Sequence, residues 1–111
     1  MLRAVLEAGA PAAAVADGLD RLGLWWAGVG GDMAAATTAF EGSWTAAQRA
    51  GGLAAPLAAL HAGVVLADRG DCAAARAPLE EAARLRQAGR WRLSEGDAGR
   101  LEAAMGSCAL T

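Results

Sequence analysis

The chain of 111 residues contains no lysine and no tyrosine, one histidine, one phenylalanine and two cysteines. Without lysine there is no Gly-x-x-x-x-Gly-Lys-Ser/Thr loop to cradle a nucleotide phosphate, and no amine nucleophile. His61 stands alone, so a metal site lacks ligands and the expectation is no metal and no cofactor. No Ser or Cys has an evident base partner, and an enzyme is not expected. Ten basic residues against twelve acidic ones leave a net charge of −2, which carries no electrostatic footprint for nucleic acid. Arg84, Arg86, Arg90 and Arg92 gather near Trp91; a solvated face explains them, with phosphate contact as the alternative.

Two cysteines are too few for a disulfide framework. Cys72 and Cys108 both fall on apolar helical positions, so buried free thiols are expected, with a bridge as the unsupported alternative. No apolar run reaches the roughly 18 residues of a membrane span, so no membrane association is expected. The N-terminal Met1–Glu7 stretch is too short for a signal peptide and is interrupted by Glu7. Ala14-Val15-Ala16 resembles a cleavage site, which keeps export as an alternative to a cytoplasmic location.

What the chain does have is alanine. Hydrophobic residues make up 55% of it and aromatics only 5%, with few β-branched side chains, which favours an all-α fold. It also repeats itself. Shifted by 39 positions, Gly31-Asp32-Met33-Ala34-Ala35-Ala36 falls on Gly70-Asp71-Cys72-Ala73-Ala74-Ala75, and Phe40-Glu41 on Leu79-Glu80. Periods of this length point to helical arrays.

The pattern predicts a single domain with a short helix over 1–8, then a first repeat over about 12–50 and a second over about 54–89. A C-terminal helix over about 95–110 caps the array. Gly30-Gly31-Asp32 and Gly70-Asp71 read as turns, with glycine supplying the positive φ and each aspartate an N-cap; capping, not an acidic pair, explains Asp32 and Asp71. Inward stripes are expected at Val15, Leu19, Leu22 and Trp26; at Met33, Ala36, Phe40, Ser43 and Ala47; at Leu60, Gly63, Val64 and Ala67; at Cys72, Ala75, Leu79, Ala82 and Leu85; and at Leu101, Ala104, Met105 and Cys108. Arg76–Glu80 and Glu80–Arg84 should form surface pairs. Pro78 sits awkwardly inside its helix, where it should kink it or leave a carbonyl unpaired.

Residues 60–75 resemble a tetratricopeptide repeat. Gly63 matches the small residue of the first helix, Ala75 that of the second, and Leu79 and Ala82 the large and small residues that come after. In the first copy Ala36 and Phe40 fit, but Leu24 stands where glycine is expected and Ser43 replaces alanine. Residues 20–110 further resemble the C-terminal repeat region of large bacterial transcriptional regulators of the SARP and LuxR types. Leu24-Trp25-Trp26, the Gly-Asp-x-Ala-Ala-Ala turns and the Ala82–Arg86 segment before Trp91 carry that resemblance. It implies about two and a half hairpins in a right-handed superhelix. The ATPase and DNA-binding parts of those regulators have no counterpart here.

The resemblance also implies a groove. Trp25 would line its inner face with Arg21 and Val29, and Leu57, Leu60, Val64 and Asp68 would continue it. Such a surface accepts an apolar peptide or helix of a protein partner, or a second copy of the chain. The expected function is a non-enzymatic binding scaffold in a bacterial regulatory system. The alternative is a small-ligand sensor with a pocket walled by Trp25, Trp26 and Leu60.

Overall fold

The computed structural model describes residues 11–50, 54–89 and 92–110. The helix expected over 1–8, the Gly51-Gly52 break, Arg90 and Trp91 lie outside them. Among the described residues the chain is all-helical: α1 Ala12–Trp25, a π-helical turn Trp26–Gly30, α2 Met33–Ala50, α3 Ala54–Asp68, α4 Cys72–Gln87 and α5 Glu95–Ser107. None of these helices is long and apolar enough to cross a membrane. The chain divides into two compact units, Met1–Ala58 and Ala59–Thr111.

In the first unit α1 packs on α2 through small residues. Val15, Ala16, Ala46, Ala47 and Ala58 form one buried cluster, with Leu19 laid against it. Alanine seams let backbones approach closely, and the contact at Gly23 is closest: a Cβ built there would lie 2.5 Å from the Phe40 ring. One polar tie crosses the seam, the buried Ser43 hydroxyl donating to the Ala16 carbonyl at 2.7 Å.

The second unit repeats this device. A Cβ on Gly63 would lie 2.5 Å from Leu79 Cδ2, so α3 and α4 also cross at a bare backbone. Ala75, Leu79 and Ala82 are fully buried, as are Ala36 and Ser43 of the first copy, with Phe40 nearly so.

Both turns share one plan. Gly31 and Gly70 take φ of 65° and 80°, in the left-handed region that glycine enters without a Cβ penalty. Asp32 Oδ1 accepts from the Ala35 N–H at 3.0 Å, and Asp71 Oδ1 from the Ala74 N–H at 3.1 Å. They differ by one residue. The Asp71 N–H closes its turn on the Leu66 carbonyl, five positions back, whereas the Asp32 N–H reaches Trp26, six back. The π-helical turn Trp26–Gly30 holds the extra residue.

That insertion corrects the alignment. Gly23 precedes Gly31 by eight residues and Gly63 precedes Gly70 by seven. The residue equivalent to Gly63 is therefore Gly23 and not Leu24, and upstream of the turn the two copies are related by 40 positions. The missing glycine of the first copy is present, displaced by one.

Other expectations need correction. Cys72 and Cys108 are bonded to each other, with Cα atoms 5.4 Å apart across 36 positions of sequence, and the described residues hold no free thiol. The end of α5 returns to the start of α4, a proximity that spacing alone does not reveal. Met33 opens α2 before any neighbour covers it and is exposed, not inward. Arg84 turns to Glu81, its Nε donating to Oε2 at 2.9 Å, instead of to Glu80; Arg76–Glu80 forms at 3.1 Å. At Pro78 the expectation holds: α4 runs through the buried proline as one element, and the Ala74 carbonyl has no i+4 N–H to accept from.

Candidate functional site

Each helix delivers its expected groove residues differently. Near the end of α1, Trp25 is 47% exposed and the neighbouring Leu24 48%; Val29 of the π-helical turn is 81% exposed and Met33 of α2 44%. Within ten residues of chain, four large apolar side chains thus meet solvent around one helix–turn–helix corner. Trp25 packs edge-on against Trp26, ring centroids 4.8 Å apart at 75°. Both rings lie over Gly30, where a Cβ would fall 2.6 Å from Trp26 and 2.9 Å from Trp25. Trp26 is partly covered, and Trp25 presents its outer side to solvent. Arg21 is exposed and pairs with Asp17, Nε to Oδ2 3.1 Å, one turn before Trp25.

Leu57 is 43% exposed in the first unit, beside a space of about 40 Å³ bounded by Ala16, Asp17, Asp20, Ser43 and Ala58. That volume holds little more than water. In the second unit Asp68 is exposed and Val64 half-buried. Leu60 is 0% exposed and is a core residue. The reason is that α3 is buried around most of its circumference: Ala58, Ala59, Leu60, Ala62, Val65, Leu66 and Ala67 are all covered.

Sequence reasoning missed Leu24 and Met33. A signal for Leu24 exists, since comparing the Gly-to-Gly-Asp spacings of the two copies exposes the extra residue. Met33 occupies the first helical position, where periodicity says nothing about cover.

The second unit has an open groove of about 570 Å³ between α4 and α5. Ala83, Leu101, Met105 and Leu110 line it, and Arg86 Nη1 pairs with Glu102 Oε1 at 3.2 Å on its rim. On α4 the Arg84 guanidinium holds the Glu81 carboxyl below its ordinary pKa by hydrogen bond and charge, with slight burial opposing. Among the described residues no three His, Cys, Asp or Glu side chains gather where a metal ion could be held. Comparison with protein-family models, with curated proteins and with solved structures finds no match.

Proposed function

We propose that the chain is a non-enzymatic scaffold of the tetratricopeptide-like kind, binding a protein or peptide partner within a cytoplasmic bacterial regulatory system. The observation that supports this reading is the exposed apolar corner Leu24, Trp25, Val29 and Met33 at the α1–turn–α2 junction. Clusters of exposed apolar residues on small proteins mark interaction surfaces, and tryptophan is the commonest anchor in them. The edge-on contact of Trp25 with Trp26 narrows the freedom the ring has to lose on binding, which lowers the ordering cost. The bound segment is an amphipathic helix or extended peptide whose apolar side meets Trp25, with the Arg21–Asp17 pair at its edge.

The test is a selection of apolar-faced peptides from a display library, followed by titration of wild type and Trp25→Ala. Truncating a central aromatic anchor costs about 2 kcal/mol, roughly 30-fold in Kd. Unchanged affinity in Trp25→Ala removes the corner from the account. Sedimentation of the free chain separates peptide capture from self-association through the same residues.

A small-ligand sensor is the second reading, favoured by the groove between α4 and α5. A metabolite screen read by thermal shift distinguishes it, since a ligand there protects Met105→Ala less than wild type.

A further inference from the structure

We propose that the Cys72–Cys108 bond is a reversible latch, opened by thiol–disulfide exchange with a dithiol reductant and closed again by exchange with a small-molecule disulfide, which is reduced to two thiols, and that it controls the docking of α5. The bond ties the first residue of α4 to the residue that ends α5, and both cysteines are only partly buried, so a small thiol reaches them.

What makes it a latch is the weakness of everything else that holds α5. The helix carries Gly96, Gly99 and Gly106 within 13 residues, and a Cβ at any of them would meet nothing within 4 Å. No close approach requires these glycines, so they only lower helix propensity. The buried face of α5 is Leu101 and Ala104 alone. Its ion pair to α4, Arg86–Glu102, is solvent-exposed and such pairs hold little. The helix also ends on Ala109 at φ 54°, a left-handed conformation that alanine adopts only at a cost. Against this, the bond closes a loop spanning 36 positions, which in the chain-entropy account shifts an equilibrium by roughly several hundredfold. The α1–α2 frame has no such dependence, being held by its own buried seam.

The exchange balances without further reagents. A thiolate of the dithiol attacks one sulfur of the bond and expels the other, which takes up a proton. The second thiol of the reductant then attacks the reductant sulfur of the mixed disulfide and expels the remaining protein sulfur, which takes up a proton. The protein is left with two thiols and the reductant as a cyclic disulfide. In the reduced state α5 undocks, uncovering Leu101, Ala104 and the strip of α4 around Ala83. A bond in a cytoplasmic protein persists only as a responsive one, which fits the compartment proposed above. The inference itself does not depend on any partner of the Trp25 corner.

Hydrogen exchange on the full chain tests it, comparing protein equilibrated with oxidised glutathione, with dithiothreitol, and reoxidised after reduction. The expected result is exchange over 95–107 accelerated about a hundredfold or more by reduction and restored by reoxidation. Exchange over 33–50 should change less than severalfold. Cys72→Ala/Cys108→Ala should match the reduced wild type under every condition, which separates loss of the bond from effects of the reagent. Unchanged exchange over 95–107 on reduction overturns the latch. So does global loss of protection, which would make the bond a staple of the whole fold. Full maleimide labelling of both thiols after equilibration with oxidised glutathione also overturns it.

Discussion

Replacing Gly63 by alanine should destabilise the oxidised protein by about 2 kcal/mol, although alanine is the better helix former. The gain is about 1 kcal/mol of helix propensity. The cost comes from the new Cβ, which would fall 2.5 Å from Leu79 Cδ2, 2.6 Å from Cγ and 3.2 Å from the Leu79 backbone nitrogen. Ordinary van der Waals contact needs about 1 Å more. Leu79 is fully buried, and an atom at its branch point cannot swing away as a free chain end can. Overpacking of this kind costs up to about 3 kcal/mol, so the crossing outweighs the propensity. The assay is urea denaturation with the disulfide intact. At a slope of about 1–1.5 kcal/mol per M, the midpoint should fall by more than about 1 M. Gly99→Ala, where a Cβ meets nothing within 4 Å, should move the other way by about 1 kcal/mol. The pair Gly63→Ala and Leu79→Ala supplies the coupling: removing Leu79 should relieve most of the penalty, a non-additivity of about 2 kcal/mol. A Gly63→Ala protein as stable as wild type, or strict additivity with Leu79→Ala, would refute the close crossing and with it the shared plan of the two units.

Three more outcomes are expected. Ser43→Ala removes the buried hydroxyl bond to the Ala16 carbonyl and should cost about 1 kcal/mol in the same assay, not more, because that carbonyl also lies within a helix and keeps its intrahelical partner. Glu81→Gln should cost about 0.3–0.5 kcal/mol at pH 7 by breaking the Arg84 pair. Since Arg84 lowers the folded-state pKa of Glu81, that difference is present above the ordinary carboxylate pKa and should disappear as pH falls below it, checked by unfolding from about pH 7 to 3. Deleting Gly28, where an added Cβ would meet nothing within 4 Å, should convert the π-helical turn to an α-helical one and restore the seven-residue spacing. Retained helicity with stability within about 1 kcal/mol is expected, and a chain that fails to fold argues against a mere insertion.

How far the sequence can be read depends on how local each feature is. The Gly-Asp turns are legible because a left-handed glycine and a capping aspartate are encoded within four residues. The seams at Ala36, Ser43, Ala75 and Ala82 are legible because one buried face leaves a helical period. Helix α3 shows the limit of that signal. With cover around most of its circumference it has no contrast between faces: the periodic stripe puts Leu60 inward, where the fold buries it, but says nothing of the equally buried Ala58, Ala59 and Ala62. The disulfide lies beyond local reading altogether, since its two partners meet only after α5 has turned back toward α4.

The displaced glycine links the fold to the proposed surface. An extra residue in an α-helix need not break it; one wide turn absorbs the residue and rotates the upstream segment relative to the downstream one. Here everything upstream of Trp26 is shifted by one position against the second copy. The crossing glycine has moved with it, because Phe40 leaves no room for a side chain at that point. The contact that closes the helix pair is thus kept, while the residues beside it change their surroundings. Leu24 takes the place equivalent to half-buried Val64 and stands more exposed, next to Trp25 and ahead of Val29. The second copy, without the wide turn, has no comparable corner among the described residues. The insertion therefore separates two units built on one plan: one closes smoothly, and the other turns its apolar end outward to solvent.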